Sequence, residues 1–350
     1  MRKTRITLSP RLRVGRRTVG QPRARAGRPA VRAGRRPANR PVAAVLLTAA
    51  LAASAACGSE SAGSDDTGGT GGKDGTTFTR ALAAVPASLA GESIMFRDVG
   101  RARPLVESGN RMYAALDTYG IPELGQYAAL DPKKDMGFDL KQVKTSLTVS
   151  QTPTSFLTGT FDPDAVSSAL AKHGYHASKD DTGTHLTKSG SPTVDVTGTV
   201  RSERTSDDSP KLPLTPPKKS VLDDAAYRAA ADCLGDTYEA TLYGKGAGKN
   251  KDVVLLAIGG RLSGGKASTE TLCAVTASKD AADATAKALR EKETAAGKRY
   301  AGSEVTVGDG DTPVVSMTWK NKNASGSRPG DSDRTLELPS LLLKLFGTSG

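Results

Sequence analysis

The sequence predicts an α+β fold in which antiparallel sheets carry helices on one face. Short runs of β-branched and other apolar residues alternate with amphipathic helical stretches, and turns rich in Asp and Gly join several strands into hairpins. A strand pair, a helix and a hairpin follow one another in the same order in both halves of the chain. This order suggests two similar α+β halves, although their identity is negligible and any α+β chain can produce such a repeat.

The first half has clear boundary signals. Asp162-Pro163 supplies an N-cap and a first-turn proline for a helix that Gly174 ends, and residues 180–183 supply the turn of a hairpin. The predicted elements are a helix over 78–84, a strand over 94–99, a helix through 105–119, a short helix over 138–143, strands over 146–150 and 155–161, a helix over 164–172 and a hairpin over 175–188.

The second half follows a segment that is rich in Pro, Ser and Lys. Its strongest strand signal is the continuous apolar run of residues 253–258, and residues 308–311 have the composition of a tight turn. The predicted elements are an Ala-rich helix over 222–240, strands over 253–258 and 272–277, a helix over 279–293, and a hairpin made of 304–307 and 313–319.

The charge of the chain is concentrated at its N-terminus. The 350 residues include 49 Lys and Arg and 37 Asp and Glu, which gives a formal net charge of +12. Residues 1–40 hold 14 of the basic residues and no acidic one, so the rest of the chain is close to neutral and does not indicate a nucleic-acid partner. Residues 41–57 are uncharged, and Ala is their commonest residue. A basic segment before a short apolar run is typical of a secretory signal.

The predicted signal ends in the motif Ser54-Ala-Ala-Cys57. This motif resembles the lipobox of bacterial lipoproteins, in which small residues precede an invariant Cys, with Ser54 where that family usually has an aliphatic residue. The resemblance implies that Cys57 carries a lipid with acyl chains such as palmitate, and that the protein is anchored at the extracellular face of the cell membrane. An ordinary signal-peptidase site, which would leave Cys57 free or paired, is the alternative.

A second resemblance lies in the body of the chain. The segment Gly159-Thr-Phe-Asp-Pro-Asp-Ala-Val166, followed by Gly174-Tyr175, is similar to a strand–helix segment of exported actinobacterial lipoproteins. Residues 223–236 are similar to a helix in the second half of that group. The shared motifs are a helix cap, a helix stop and packing positions. The resemblance therefore implies a shared fold over about residues 80–320 and brings no activity with it.

These observations divide the chain into six segments. One of them, residues 58–76, contains seven Gly and no aliphatic residue larger than Ala, which is typical of a flexible tether. The expected segments are a signal peptide with a lipobox over 1–57, the tether over 58–76, a first α+β half over 77–200, a Pro/Ser/Lys linker over 201–220, a second α+β half over 221–320 and a C-terminal tail over 321–350.

Two of the three cysteines lie in the predicted body. With Cys57 lipidated, Cys233 on a predicted helix and Cys273 on a predicted strand remain. Export would place them in an oxidising compartment, which favours a disulfide between them. Two buried thiols that act as small apolar side chains are the alternative.

No motif predicts a catalytic, cofactor or metal site. Residues 260–266 approach a phosphate-binding loop, but Ala267 replaces the hydroxyl residue that would hold magnesium, so a hairpin turn is expected. His173, His176 and His185 are expected at the surface, since no carboxylate has a predicted place beside them. The sequence lacks a G-x-S-x-G elbow, and aromatic residues make up only 4% of the chain, which argues against a stacking site.

The sequence therefore predicts a lipid-anchored extracytoplasmic protein that is not an enzyme and needs no cofactor. Its expected partners are the membrane, through the anchor, and an envelope protein or a small ligand. A solute-binding lipoprotein of a transporter is one alternative, and it would need two doubly wound lobes. An envelope hydrolase is the other, and it would need a polar constellation that the sequence does not display.

Overall fold

The computed structural model describes residues 75–116, 131–150, 153–244, 252–295, 300, 302–323 and 328–329. The helices are α1 (Thr77–Ala83), α2 (Val99–Glu107), α3 (Pro163–Ala171), α4 (Ala225–Leu234) and α5 (Lys279–Ala295), with short 3₁₀ or π turns at 87–89, 111–116, 132–136, 140–142 and 221–223. The strands are β1 (Ile94–Asp98), β2 (Val143–Val149), β3 (Thr154–Gly159), β4 (His176–Lys179), β5 (Thr184–Thr187), β6 (Thr193–Val196), β7 (Val200–Arg204), β8 (Thr237–Tyr243), β9 (Val253–Ser263), β10 (Lys266–Thr276), β11 (Glu304–Val307) and β12 (Val314–Lys320).

All twelve strands belong to one antiparallel sheet, which confirms the α+β class. The strand order is β11-β12-β10-β9-β8-β1-β2-β3-β7-β6-β5-β4. Outward from the central β1–β8 pair, β2, β3, β7 and β6 on one side correspond to β9, β10, β12 and β11 on the other. In each half a helix, α3 or α5, follows the third strand. The described strands of both halves therefore share one sheet.

Helices lie on both faces of this sheet, where the sequence predicted one. In β9, Leu255 and Ala257 pack with α1 and α4, whereas the intervening Leu256 packs with α5. In β3, Phe156 packs with α1 and Leu157 packs with α3. We call the two sides the α1/α4 face and the α3/α5 face. Neighbouring residues of a strand point to opposite faces, so the continuous apolar runs in these strands are explained by burial on both sides.

Several predicted boundaries differ in the structure. The helix predicted through 105–119 is wrong at both ends of its described part. It begins at Val99, because the Asp98 side chain accepts a hydrogen bond from the backbone N–H of Arg101 and caps α2, and it ends at Glu107, before a separate 3₁₀ turn at 111–116. The helix predicted to 240 ends at Leu234, since Gly235 has a φ of +63° and β8 begins two residues later. The linker predicted to begin at 201 begins later, because β7 continues to Arg204 and pairs with β3.

Cys233 of α4 and Cys273 of β10 form the predicted disulfide, and their Cα atoms are 6.2 Å apart. The turn between β9 and β10 is the predicted hairpin turn. Ser263 pairs with Lys266 across it, and the two intervening glycines have φ of 55° and 71°. The predicted signal peptide, Cys57, nearly all of the tether and most of the C-terminal tail lie outside the described residues. None of the helices in the described part combines the length and hydropathy needed to cross a bilayer.

Candidate functional site

A cavity of about 600 Å³ lies on the α1/α4 face, between α1 and the strands β1, β2 and β3. Leu147 and Phe156, which are cross-strand neighbours and buried, form its apolar floor. Ala81 and Ala84 line it from the α1 side. Small residues at these two positions keep the helix side of the cavity open. The volume falls in the range of roughly 300–1,000 Å³ that is usual for ligand pockets.

Three polar side chains lie in the wall of the cavity, and two of them, Thr145 and Asp98, are buried. The hydroxyl oxygens of Thr145 and Thr158 are 2.5 Å apart across β2 and β3, so each satisfies the other. The Asp98 carboxylate is 7% exposed and accepts the α2 capping hydrogen bond from Arg101 N–H at 3.0 Å. These groups have partners within the protein, which leaves the apolar floor as the principal surface for a ligand.

Three basic side chains line the outer part of the cavity: Arg80, Arg101 and Lys144. Arg80 donates to the backbone oxygen of Gly75 at 2.6 Å, and Arg101 forms an ion pair with Asp236 at 2.6 Å. Arg80 and Lys144 are exposed. The rim therefore carries more positive than negative charge, and an anionic group bound there would be attracted.

The sequence offered no signal for this cavity. Its basic residues come from α1, the first turn of α2 and the start of β2, so they are distant in the chain. No local sequence motif links these three basic residues. Each one, considered alone, is typical of a solvent-exposed surface residue. The alternation of residues in β2 and β3 predicts which side chains face α1, and it does not predict that the helix leaves part of that face uncovered.

The three histidines lie near the β4–β5 hairpin. Register places His176 and His185 on one face, because Ser178 pairs with His185. His185 Nδ1 is 2.7 Å from an oxygen of Asp195, and its Nε2 is 3.0 Å from an oxygen of Asp180. The expectation that no carboxylate lies beside the histidines is therefore wrong. The pairing of β5 with β6 sets Asp195 opposite His185, and that pairing was not predicted.

These contacts affect the pKa of His185, and they do not form a metal site. Hydrogen bonding to Asp180, and then to Asp195, raises the pKa of His185 above its ordinary value of 6.5. Histidine held between two carboxylates in this way fixes the hairpin to β6. Within the described ranges, no group of three or more His, Cys, Asp or Glu side chains could hold a metal ion.

A buried ion pair lies at the centre of the sheet, on β1 and β8. Arg97 Nη2 is 2.9 Å from an oxygen of Glu239, and the Tyr238 hydroxyl donates to the other oxygen at 2.8 Å. Burial, together with the nearby charges of Glu239 and Glu270, raises the pKa of Tyr238 well above 10.0. Tyr238 therefore remains a hydrogen-bond donor, which stabilises the carboxylate of Glu239.

No family model and no curated protein matches this chain. Among solved structures, crystal form I of TP0453 matches with a TM-score of 0.43 and 8% identity, over 76% of this chain and 97% of that one.

Proposed function

We propose that this protein is an exported lipoprotein whose folded domain binds an amphipathic anion, an apolar chain with one carboxylate, in the cavity beside α1. The observation that carries this proposal is the combination of an apolar floor at Leu147 and Phe156 with a rim of three basic side chains. An apolar tail gains free energy by leaving water for the floor. The carboxylate remains near the rim, where its charge is attracted and still partly hydrated.

The position of the cavity supports a ligand that comes from a membrane. Thr77 lines the cavity, and Arg80 binds the backbone of Gly75, so the chain enters the domain at the cavity rim. If Cys57 carries lipid, about 17 residues of Gly-rich sequence separate the bilayer from this entry point. A Gly-rich chain of that length has a mean reach of roughly 20–25 Å. The anchor would thus hold the cavity close to a source of acyl chains.

The chemistry of the lining supports binding in preference to catalysis. Among the described residues that line this cavity, none is His, Cys or Ser, and the one carboxylate, Asp98, caps α2. The transporter alternative would require two doubly wound lobes. The described strands instead form a single antiparallel sheet, so we propose a binding lipoprotein of a different architecture.

The proposal is tested by titrating residues 58–350 with dodecanoate in a calorimeter, below the concentration at which dodecanoate forms micelles. Two comparison ligands separate the contributions of tail and charge. Butyrate keeps the carboxylate and lacks the tail, and dodecyltrimethylammonium keeps the tail and reverses the charge. We expect dodecanoate to bind at least tenfold more tightly than either. Equal binding of the cation, or no binding of dodecanoate, would contradict the proposal.

A pair of matched variants tests the place of binding. Replacing Arg80 and Lys144 together by Gln should weaken dodecanoate binding about two- to thirtyfold, because each of the two exposed charges contributes about 0.2–1 kcal/mol. The control replaces Lys172 and Lys287 by Gln. Both control residues are exposed and lie away from the cavity, so the net charge changes equally while binding stays the same.

A further inference from the structure

A second cavity, of about 220 Å³, opens on the α3/α5 face and thus on the other side of the sheet from the first. It lies between the turn at 132–136, the end of α3 and the strands β6 and β7. Its apolar wall consists of Met136, Leu170 and Val194. Arg201 and Glu203, both on β7, line its deepest part.

Arg201 is an unusual residue to find at the base of a cavity, since it is only 1% exposed. Its Nη2 donates to an oxygen of Glu203 at 2.6 Å, and its guanidinium carbon lies 5.1 Å from the ring centre of Phe138. Its Nε is buried and has no hydrogen-bond partner among the described residues. A buried donor without an acceptor is unfavourable, and a buried ion pair is weak evidence for a purely stabilising role. The guanidinium of Arg201 therefore has hydrogen-bonding capacity that Glu203 does not use.

The mouth of the cavity adds charges of both signs. Lys188 lies with its Nζ 5.9 Å from the ring centre of Tyr175, and Asp135 lies 3.7 Å from His173. Together with the pair at the base, the lining carries cationic and anionic groups in comparable number. A simple anion near Arg201 would also meet the carboxylate of Glu203, and a simple cation would meet the guanidinium. A molecule that carries both charges a few ångströms apart avoids both repulsions.

We propose that this cavity binds a small zwitterion, specifically a free α-amino acid with an aliphatic side chain. The carboxylate of the ligand accepts from Arg201, and its ammonium group lies towards Glu203 and Asp135. The aliphatic side chain packs on the wall of Met136 and Leu170. The volume is below the roughly 300 Å³ at which pockets for drug-sized molecules begin, which restricts the ligand to a few atoms beyond the zwitterion itself. This site does not depend on the function proposed for the first cavity.

The ligand class is tested by calorimetric titration of the full chain in detergent with L-leucine and two truncated analogues. The analogue 4-methylpentanoate lacks the ammonium group, and isopentylamine lacks the carboxylate. We expect L-leucine to bind and each analogue to bind at least tenfold more weakly. If 4-methylpentanoate binds as tightly as L-leucine, the site is an anion site and the proposal is wrong. Absence of L-leucine binding at millimolar concentration overturns it as well.

The place of binding is tested at the mouth, because removal of Arg201 would leave the buried Glu203 unpaired and endanger folding. Ser191→Trp places a large side chain in a half-buried lining position, and Ser189→Trp places the same side chain at an exposed position of the same loop, outside the lining. We expect Ser191→Trp to bind L-leucine more than tenfold more weakly than the wild type, and Ser189→Trp to bind it as tightly as the wild type. Equal far-UV circular dichroism of the two variants would show that both are folded. Unchanged binding by Ser191→Trp would overturn the assignment. The variant with Gln at positions 80 and 144 should bind L-leucine normally, which separates this site from the first cavity.

Discussion

Cys233 and Cys273 join helix α4 to strand β10 by a disulfide whose Cα atoms are 6.2 Å apart. Cys273 is fully buried, and it belongs to the same apolar cluster as the inward side of α4. The bond closes a loop of 40 residues that contains β8 and β9. It therefore fixes α4 on the α1/α4 face and holds the central strand β8 in the same covalent loop.

Removing this disulfide should lower the melting temperature strongly. A closed loop of about 40 residues is worth about 4 kcal/mol in the chain-entropy account, and 1 kcal/mol shifts the melting temperature of a domain of this size by roughly 2–4 °C. We expect replacement of both cysteines by Ala to lower it by roughly 8–15 °C in scanning calorimetry. A reducing agent should lower the melting temperature of the wild type and leave that of the variant unchanged. Alkylation of both cysteines without prior reduction would contradict the bond itself.

The disulfide could be predicted from the sequence because so few cysteines compete for it. The hairpins could be predicted as well, since turn residues such as Gly264 and Gly265 adopt backbone conformations that other residues avoid. Local chemistry decides these features, and local chemistry is what a single sequence displays.

The strands β6, β7 and β8 were missed for a different reason. The predicted Ala-rich helix runs to residue 240, whereas the structure ends α4 at Leu234 and places residues 237–243 in β8 at the sheet centre. Polar residues such as Arg201 and Glu203 make β7 resemble a linker in the sequence, because the strand β3 that pairs with β7 and buries them is distant in the chain. Both cavities depend on such distant neighbours, so neither could be predicted.

Gly159, at the end of β3, is expected to tolerate no side chain. A Cβ atom there would lie 2.1 Å from the backbone oxygen of Gln142, which belongs to the segment that leads into β2. Gly159→Ala should therefore destabilise the protein by about 1–3 kcal/mol, as overpacking usually does. Gly198→Ala is the matched control, because a Cβ there meets nothing within 4 Å. Urea unfolding measures both, and equal midpoints for the two variants would contradict the close approach.

His185 should make the stability depend on pH. Its pKa is raised in the folded protein, so its stabilising contribution is complete below about pH 6.5 and is lost as the pH rises through the raised value. Hydrogen bonds from Thr182 and His185 lower the pKa of Asp180, so the contribution of Asp180 is present above about pH 3.8 and is lost in acid. The two contributions overlap between about pH 4 and 6.5.

The variant His185→Gln measures this dependence. We expect it to be less stable than the wild type by up to about 1 kcal/mol at pH 5.5, and to approach the wild type at pH 9, in urea unfolding. His176→Gln is the control, since His176 is exposed on β4 and its replacement should have the same small effect at both pH values. If the loss of stability caused by His185→Gln is larger at pH 9 than at pH 5.5, the raised pKa of His185 is contradicted.

The ion pair of Arg97 and Glu239 should show a strong difference between single and double replacement. Their side chains are 14% and 11% exposed, so Glu239→Gln leaves a largely buried guanidinium without its counter-charge. We expect that variant to lose about 3–5 kcal/mol, and the double replacement by Leu to lose less, because it removes both charges together. The free energies of unfolding in guanidinium chloride measure the difference. If the double variant is less stable than Glu239→Gln, the expectation is wrong. The ion pair would then stabilise the sheet by more than the neutralisation of each charge by the other.

Membrane attachment should depend on Cys57. A lipid with two or more acyl chains anchors a protein stably, because each buried methylene contributes about 0.8 kcal/mol, and the thiol of this residue is the only place where the predicted motif allows it. Cys57→Ser should therefore move the protein from the membrane fraction to the soluble exported fraction, and mass spectrometry of the wild type should show a diacylglyceryl adduct at this residue. Ser54→Leu is the matched control, since it introduces the aliphatic residue usual in the motif and should leave the protein membrane-bound. If Cys57→Ser remains attached to the same extent, the anchor lies elsewhere.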